Sequence, residues 1–151
     1  MARRTLDDLL ETARSKIERL APGAAWAAAQ DGARIIDVRA APDEVVPGSL
    51  HIPRTVLKWR LDPDSAWRSP YAPALDERVL VLCDHGESSS LAAETLIELG
   101  FGNAGDVVGG FGAWVAAGLP LVAAPPPGAG LPGMAPPSPA SIWTSGDHPV
   151  D

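Results

Sequence analysis

Apolar residues along this chain follow two patterns, one typical of helices and one typical of buried strands. Behind Thr5, a suitable N-cap, Leu6, Leu10 and Ala13 recur at helical spacing, which predicts a helix over residues 5–19. Further helical segments are predicted over residues 23–30 (opened by a proline at 22), 55–60, 90–99 and 111–117. Strands are predicted over residues 34–38, 79–82 and 106–108, with a short edge strand cut by proline over 48–53.

Strands that alternate with helices of about ten residues indicate an α/β domain built on a central, mainly parallel sheet. In such sheets, ligand sites form where the strands reach their carboxyl ends. Two polar side chains fall at such ends, Asp37 near the end of one apolar strand and Cys83 directly after another. We therefore expect the functional site at this edge of the sheet.

The C-terminal segment differs in composition from the rest of the chain. Residues 125–151 contain eight of the 16 prolines, separated by glycine, alanine and serine, and few residues that could build a core. We predict one domain over residues 1–122, followed by a disordered tail rich in proline, glycine and alanine over residues 123–151.

Composition and charge restrict the classes of function. The net charge of −7 argues against nucleic acid or an anionic membrane as the main partner, and no apolar run approaches the roughly 18 residues of a membrane span. The first residues lack the apolar core of a signal peptide, and a single cysteine forms no internal disulfide, so we expect a cytoplasmic protein. All 12 lysines and arginines lie at or before Arg78, so any positive charge near Cys83 has to come from earlier segments folded against it.

Cys83, the only cysteine, stands between a predicted strand and a predicted helix. Free backbone N–H groups at a helix start favour an anion and shift a thiol towards its nucleophilic thiolate. Gly86 allows the loop to turn with its N–H groups inward, and the hydroxyls of Ser88 and Ser89 can donate to an anionic sulfur. His85 suits a structural hydrogen bond, with the steering of a substrate or donation to a persulfide as alternatives. The pattern fits a thiolate or a persulfide formed on it. The alternative for a lone cysteine is a small buried apolar residue, and a zinc site within the loop is disfavoured because adjacent residues rarely give tetrahedral coordination.

Four motifs together resemble the single-domain rhodanese family, sulfurtransferases that carry sulfur as a persulfide on a catalytic cysteine. The motifs are Ile36-Asp37-Val38-Arg39 followed by Glu44, Pro47-Gly48-Ser49-Leu50-His51-Ile52-Pro53, the Cys83 loop, and Val108-Gly109-Gly110-Phe111-Gly112-Ala113-Trp114 with Gly118-Leu119-Pro120. Their order and spacing carry the resemblance, which runs from about residue 17 to residue 121. It implies a rhodanese-like α/β fold with helices on both faces of the central sheet.

The resemblance also implies a sulfurtransferase that moves sulfane sulfur from thiosulfate or a low-molecular-weight persulfide to a thiol or cyanide through a persulfide on Cys83. It implies no cofactor and no metal. Besides small thiols and cyanide, a protein is a further class of acceptor for the sulfur. The residues expected to bind the substrate belong to the loop and to a basic segment before it: Asp84, His85, Gly86, Glu87, Ser88, Ser89, Arg54 and Arg60. The rival hypothesis is a non-catalytic rhodanese-like module for protein binding or sulfur sensing, which the absence of a basic residue from the loop favours.

The loop departs from two patterns of the family. Many rhodaneses have arginine five residues after the cysteine, where this chain has Ser88. A thiosulfate-using subset with the pattern Cys-x-His-Gly-x-Ser-Ser can have lysine where this chain has Ser90. Asp84 and Glu87 also bring negative charge to the place that a thiosulfate dianion would approach. We therefore hypothesise that thiosulfate is a poor donor and a less anionic persulfide a better one.

The cysteine loop also resembles that of dual-specificity phosphatases, but the spacing disfavours their chemistry. Those enzymes need Cys-x5-Arg, a loop one residue longer, whose arginine clamps the phosphoryl oxygens. Six residues after Cys83 stands Ser89, and no arginine follows Arg78. We therefore expect no phosphatase activity.

Several residues outside the loop are expected to have structural roles. Asp37 suits hydrogen bonds to loop N–H groups, and Arg39 suits an ion pair with Glu44. Phe111 and Trp114 suit the packing of the last helix onto the sheet.

The segment 54–60 has two interpretations that the sequence leaves open. It contains three cations, and these could supply the charge that the cysteine loop lacks. It could equally form a solvated amphipathic turn with Leu57 and Trp59 buried.

Overall fold

The computed structural model describes residues 2–125, in which helices and strands alternate along the chain. The helices are α1 Leu6–Lys16, α2 Pro22–Gln30, α3 Leu57–Leu61, α4 Ser88–Glu98 and α5 Gly110–Ala116. The strands are β1 Glu18–Leu20, β2 Arg34–Asp37, β3 Glu44–Val45, β4 Leu50–His51, β5 Val79–Leu82, β6 Ala104–Val107 and β7 Val122–Ala123. A 3₁₀ turn, Arg54–Val56, leads into α3.

Five strands form the central sheet, in the order β1, β6, β5, β2, β4, and each pair of neighbours runs parallel. The central strand β5 is buried along its whole length, as expected for a continuous apolar run in a parallel sheet. The predicted α/β class and mainly parallel sheet are confirmed. Because the strands point in one direction, their carboxyl ends share one edge, and Cys83 follows β5 directly at that edge. Strands β3 and β7 form a separate antiparallel pair.

Helices cover both faces of the sheet, as the resemblance implies. Successive side chains of β5 point to opposite faces. Val79, Val81 and then Cys83 belong to the core under α3 and α4, whereas Leu80 and Leu82 belong to the core under α2 and α5. The period of the strand therefore directs the Cys83 side chain towards α4, the helix that follows its loop.

The prediction that Trp114 packs the last helix onto the sheet is confirmed. Its side chain is fully buried in the core under α2 and α5. It meets Trp26 of α2 edge to face, with 5.9 Å between ring centroids, and its indole N–H donates to the carbonyl of Pro120 at 3.0 Å. The position of α5, whose first residues contact the cysteine loop, is thereby set by a large apolar anchor.

The N-terminal helix has the predicted cap and a different end. The hydroxyl of Thr5 accepts the N–H of Asp8 at 3.1 Å, and the Asp8 carboxylate accepts the N–H of Thr5 at 2.9 Å, a complete capping box. The prediction that this helix continues to Arg19 is wrong, because residues 18–20 form β1 and pair with β6. A strand of three residues is too short to show a period, and it forms because the edge of β6 offers backbone partners. The pairing places Arg19 opposite Asp106.

The predicted boundary after residue 122 falls inside β7. Ala123 pairs with Glu44, and the N–H of Ala124 donates to the carbonyl of Asp43 at 2.8 Å. The first residues of the predicted tail are therefore part of the folded structure, while residues 126–151 lie outside the described residues. Within residues 2–125, no helix is long and apolar enough to cross a membrane.

Candidate active site

The sulfur of Cys83 is buried and receives backbone hydrogen bonds. The residue is 5% exposed, and its Sγ accepts the N–H of Gly86 at 3.1 Å and the N–H of Ser89 at 3.3 Å. Ser89 is the second residue of α4, so its N–H is one of those that a helix start leaves without an intrahelical partner. The strand, the loop and the helix start thus place two amide donors on one sulfur atom.

These hydrogen bonds decide the ionisation of the thiol. Burial alone would raise the pKa of Cys83, but hydrogen bonds from the hydroxyl and N–H of Ser89 and from the N–H groups of Gly86 and His85 outweigh it and lower the pKa below its ordinary value. The Ser89 hydroxyl also donates to Asp106 Oδ2 at 2.8 Å. Because this hydroxyl has one proton, it can donate to the carboxylate or to the sulfur, not to both at once.

Glycines allow the cysteine loop and the start of α5 to pack backbone against backbone. Gly86 has φ +85°, in the left-handed region, and a Cβ atom there would lie 2.6 Å from the Gly109 nitrogen. A Cβ atom on Gly110 would lie 2.4 Å from the Cys83 carbonyl oxygen. Larger residues at either position would displace the loop from its present path.

The start of α5 binds the carbonyl groups of the same loop. The N–H of Phe111 donates to the Cys83 carbonyl at 2.8 Å, and the N–H of Gly112 donates to the Asp84 carbonyl at 3.1 Å. Both donors belong to the first turn of the helix, where N–H groups lack intrahelical partners. These two carbonyl oxygens of the loop are thereby hydrogen-bonded to α5, so their partial negative charges face the N–H groups of that helix rather than the sulfur.

The side of the loop that faces solvent consists of Asp84, His85 and Glu87, which are exposed and which we call the outer rim. The imidazole of His85 has no hydrogen-bond partner among residues 2–125, so the structural hydrogen bond expected for it is not formed. Of the two serines whose hydroxyls were predicted to donate to the sulfur, Ser89 donates its backbone N–H to Sγ while its hydroxyl donates to Asp106, and half-buried Ser88 makes no hydrogen bond to the sulfur within the described residues. The outer rim therefore carries two carboxylates and no cation.

Two arginines that the sequence analysis did not single out contact the other side of the loop. Arg14 Nη2 in α1 donates to the Gly86 carbonyl at 3.0 Å, and Arg19 Nη2 in β1 donates to the same carbonyl at 2.8 Å. The prediction that positive charge comes from segments earlier than residue 79 is confirmed by these two residues. Arg14 stands four residues after the buried Leu10, which is the one signal in the sequence that it flanks the buried face of α1.

A buried carboxylate connects the arginines with the serines of α4. Asp106 in β6 is fully buried, and its oxygens accept hydrogen bonds from Arg19 Nε at 2.9 Å and from the hydroxyls of Ser89 and Ser90 at 2.8 Å each. Arg14 Nε donates to the Ser90 hydroxyl at 3.1 Å. We call this group, Gly86, Ser89, Ser90, Asp106, Arg14 and Arg19, the inner support.

Arg39 has a different partner from the one predicted. Its guanidinium forms an ion pair with Asp37, 2.7 Å between Nη2 and Oδ2, and donates to the backbone carbonyl of Glu44 at 2.8 Å. The predicted ion pair with the Glu44 side chain is wrong, because Asp37 lies two residues away and is fully buried, where no water competes for its oxygens. The guanidinium also stacks on the ring of Phe111, 3.7 Å from its centroid.

Of the two arginines predicted to contact a donor, Arg54 lies at the edge of the sheet where the site is. Its N–H donates to the carbonyl of Val38 at 3.2 Å, and the N–H of Val38 donates to the carbonyl of Leu82 at 2.9 Å. Two successive backbone hydrogen bonds across the sheet thus connect Arg54, through Val38, with Leu82, the residue before Cys83. Arg54 is exposed.

Arg60 serves another segment. It is 6% exposed, and its Nη1 donates to the carbonyl of Trp67 at 2.7 Å, so it holds the loop that follows α3. Burial lowers the pKa of its guanidinium to about 10, which leaves it charged at neutral pH. We therefore assign Arg60 to the support of this loop rather than to donor binding. The interpretation of segment 54–60 as an amphipathic turn would bury both Leu57 and Trp59; Leu57 is buried, whereas Trp59 is 49% exposed.

An open cleft of about 400 Å³ adjoins the outer rim. It is lined by Arg39, Ala40, Ala41, Pro42, Asp43, Glu44, Asp84 and Phe111. Its acidic residues add to the negative charge of the rim, while the one cation in its lining is already paired with Asp37. Within residues 2–125, no three His, Cys, Asp or Glu side chains are grouped so that they could hold a metal ion.

A family model described as the rhodanese-like domain matches residues 21–117. The chain belongs to this family. The thiosulfate sulfurtransferase GlpE of Pseudomonas savastanoi pv. phaseolicola is 36% identical to this rhodanese-like protein over 100 residues, which cover 66% of the chain and 89% of the relative. GlpE of Vibrio cholerae is 34% identical over 94 residues, 62% of the chain and 83% of the relative. These relatives support a rhodanese-type sulfurtransferase.

Solved structures show the same fold. A Rhodopseudomonas palustris protein of unknown function, described as a possible tyrosine phosphatase, is 32% identical, with a TM-score of 0.73 over 81% of this chain and 97% of its own. The polysulfide-sulfur transferase of Wolinella succinogenes, 23% identical, matches with a TM-score of 0.58 over 75% and 83%. The rhodanese-like fold predicted from the four motifs is confirmed. Arg14 and Arg19 lie before residue 21, outside the segment that the family model matches.

Proposed function

We propose that this rhodanese-like protein transfers sulfane sulfur through a persulfide on Cys83. In the first step the Cys83 thiolate attacks the outer sulfur of the donor, a new S–S bond forms, and the donor's own S–S bond breaks. The electron pair of the broken bond leaves with sulfite or with the donor thiolate. In the second step a thiol, as its thiolate, or cyanide attacks the outer sulfur, and the Cys83 thiolate is the leaving group.

The observation that carries the proposal is the pair of N–H groups on the sulfur. Hydrogen bonds from Gly86 and Ser89 at 3.1 and 3.3 Å stabilise the thiolate, which is both the nucleophile of the first step and the leaving group of the second. The same donors suit a persulfide, whose terminal sulfur is also anionic. A non-catalytic module has no need of a thiol in such surroundings, so the geometry favours catalysis over the rival hypothesis of a binding or sensing module.

We further propose that the preferred donor carries less negative charge beside its transferred sulfur than thiosulfate does. The relatives named above are thiosulfate sulfurtransferases, but here Asp84 and Glu87 are exposed on the rim, and the adjoining cleft adds Asp43 and Glu44. Like charges a few ångströms apart near a surface repel by about 1 kcal/mol or more each. Arg54, which is exposed at this edge, is the cation that we propose to bind an anionic donor. Because a lone thiol must remain reduced, we propose that the protein works in the cytoplasm.

The test is the intact mass of the wild-type protein and of Cys83→Ser after incubation with thiosulfate or with glutathione persulfide. We expect a gain of about one sulfur atom on the wild type alone, removed again by cyanide. Steady-state rates should then be higher with glutathione persulfide than with thiosulfate. A clear preference for thiosulfate would contradict the donor proposal, and no adduct from either donor on reduced, folded protein would support the binding module.

The pH dependence of alkylation separates the two hypotheses without any donor. Since the pKa of Cys83 is lowered, its thiolate persists as the pH falls, and the alkylation rate should drop at a lower pH than for free cysteine, whose thiol pKa is about 8.5. Iodoacetamide labelling followed by mass spectrometry measures this profile. A profile with the midpoint of free cysteine would contradict an activated thiol.

Phosphatase chemistry, suggested for the Rhodopseudomonas palustris protein, lacks support in this chain. No arginine follows Cys83, and the two arginines that reach its loop donate to the Gly86 carbonyl. An assay with p-nitrophenyl phosphate serves as the control. We expect no Cys83-dependent turnover in it.

A further inference from the structure

The inner support connects two cations with the reactive sulfur through a single residue. The carbonyl of Gly86 accepts Arg14 Nη2 and Arg19 Nη2, while the N–H of Gly86 donates to Cys83 Sγ. Because one residue makes all three contacts, each guanidinium lies within about 10 Å of the sulfur. Both arginines come from α1 and β1, ahead of the segment that the family model matches.

The hydrogen bonds from the two arginines fix the orientation of the Gly86–Glu87 peptide. Gly86 has a left-handed φ of +85°, and glycine can adopt other backbone conformations at little cost, so the loop sequence alone does not hold this peptide in place. With its carbonyl bound by two guanidinium groups, the peptide keeps its oxygen on the inner side of the loop. If the carbonyl turned towards the sulfur, its negative end would oppose a thiolate or a persulfide.

The charges of the inner support add up to a net positive charge. Arg19 is neutralised by Asp106, whose side chain is fully buried, while Arg14 contacts the neutral Ser90 hydroxyl and the Gly86 carbonyl. Arg14 is half-buried, so its charge is screened by salt less than a fully exposed charge would be. Within residues 2–125 Arg14 forms no ion pair, so one cation without a paired carboxylate lies behind a loop that carries no cation of its own.

We propose that Arg14 and Arg19 are positioning residues for the cysteine loop, holding the Gly86 carbonyl away from the sulfur and supplying the positive charge that the loop lacks. The inference deepens the proposed function and rests on it, since it assigns these arginines to the site where the persulfide would form. They do not touch the sulfur themselves. They act through the Gly86 peptide and, in the case of Arg19, through Asp106 and the hydroxyl of Ser89.

The other charged groups near the loop are the same in the wild type and in the Arg14 variants. These groups are Asp84, His85 and Glu87 on the loop itself, Asp37 at the end of β2, Arg39 after it, Asp106 in β6, and Glu94 and Glu98 in α4. All of them are present in the wild type and in the Arg14 variants, and the double variant described below changes only Asp106 among them. Differences between the variants therefore report the arginines.

The experiment measures iodoacetamide alkylation of Cys83 in the full chain from about pH 5 to about pH 9 for the wild type, Arg14→Gln, Arg14→Lys and Lys16→Gln. Lys16 is the matched control because it ties the same helix α1 to α4, 3.1 Å from Glu94, without contacting the loop. We expect Arg14→Gln to reduce the rate at pH 6 by about twofold to tenfold, the effect of one charge at this distance, and to converge with the wild type at high pH. Arg14→Lys should recover part of the rate, and Lys16→Gln should follow the wild type.

The double variant Arg19→Gln/Asp106→Asn tests the second arginine without leaving a buried carboxylate unpaired. Because the pair it removes is neutral in sum, we expect the midpoint of the alkylation profile to move less than in Arg14→Gln. The rate of persulfide formation should still fall at least about threefold, because the Gly86 carbonyl and the Ser89 hydroxyl lose charged partners. If this double variant forms the persulfide at the wild-type rate and has the wild-type alkylation profile, the ion pair only joins β1 to β6, and Arg19 has no positioning role.

The outcomes for the inference and for the proposed function can be told apart, because alkylation needs no sulfur donor. If Arg14→Gln has the same profile as Lys16→Gln while the wild type forms a persulfide, the positioning role is overturned and the sulfur transfer stands. If Arg14→Gln shifts the profile but the wild type takes sulfur from no donor, the positioning role stands and the proposed function is overturned.

Discussion

The two sides of the cysteine loop differ in burial and in hydrogen bonding, although their residues alternate along a few positions of the chain. On the outer rim, Asp84, His85 and Glu87 are exposed, and the imidazole of His85 makes no hydrogen bond within the described part of the chain. On the inner support, Asp106 accepts hydrogen bonds from three residues while fully buried. We therefore propose that the inner side governs the geometry and ionisation of Cys83 and that the outer side meets the substrate. Substitutions on the two sides should change different kinetic parameters.

The largest effect is expected where the loop touches α5. Gly86→Ala places a Cβ atom 2.6 Å from the Gly109 nitrogen, which forces the loop to move, and displacement of a reactive group by about 1 Å lowers rates by about a hundredfold. We expect a loss of sulfur transfer of at least about that size, measured as kcat with a persulfide donor.

Gly48→Ala is the matched control for this substitution. Gly48 has a similar φ of +80°, but a Cβ atom there meets nothing within 4 Å. Both variants therefore carry the backbone strain of alanine at positive φ, and only Gly86→Ala carries the clash. Equal activity in the two variants would show that the contact between the loop and α5 is dispensable.

The next effect separates an inner serine from an outer one. Ser89→Ala removes the hydroxyl that lies between Asp106 and the sulfur, and the net value of a hydrogen bond to a charged group, about 1.5–3 kcal/mol, corresponds to a rate loss of about tenfold or more. Ser88→Ala should stay within about twofold of the wild type, because Ser88 makes no hydrogen bond to the sulfur within residues 2–125. Alkylation profiles of the two variants check the cause: the pKa of Cys83 should rise in Ser89→Ala alone. Similar losses of the sulfur-transfer rate in Ser89→Ala and Ser88→Ala would show that the two serines do not have the different roles assigned to them here.

A smaller effect, on specificity rather than on rate, is expected from the outer rim. Asp84→Asn/Glu87→Gln removes two negative charges near the approaching donor, and we expect kcat/KM for thiosulfate to rise about fivefold, with a smaller rise for glutathione persulfide. The gain should shrink as salt is added, because the charges are exposed.

The control Asp7→Asn/Glu11→Gln changes the net charge equally on an exposed part of α1. We expect no change in the ratio of the two donors with this variant. If it raised thiosulfate use as much as the rim variant, the overall charge of the protein would be the cause, and the rim would have no special role.

The smallest effect is expected from Arg54→Gln. An exposed cation at the carboxyl edge attracts an anionic donor weakly, so KM for thiosulfate should rise about twofold to threefold at unchanged kcat. Lys58→Gln, on the next exposed turn, removes the same charge and should leave KM within error. A fall in kcat with Arg54→Gln would instead assign it a part in the chemical step.

The parts of this site that could be predicted are those in which neighbours along the chain interact. The apolar run of β5, the thiol at its end, the turn at Gly86 and the free N–H groups at the start of α4 lie within about ten residues, so their geometry follows from local rules. The capping box at Thr5 is local in the same sense. The four motifs, read together, predicted the family and its fold.

The inner support could not be predicted, because its members are far apart in the sequence. Arg14 and Arg19 reach a carbonyl that is 72 and 67 residues away, and Arg19 meets Asp106 across 87 residues. The pairing of Arg19 with Asp106 depends on β1, a strand too short to leave a pattern in the sequence. Arg60 was assigned to the donor on its charge alone, whereas burial directs it to the loop after α3.

By itself, then, the sequence determined the α/β alternation, the position of the proposed nucleophile, the turn that bends its loop and the acidic outer rim, since each depends on the residue types of one short segment. Only the tertiary structure decided which cations stand behind the loop, which serine reaches the sulfur and which arginine partners Asp37. These contacts depend on strand order and register, and the pairing of β1 with β6 brings Arg19 to Asp106 through backbone hydrogen bonds that any sequence can make.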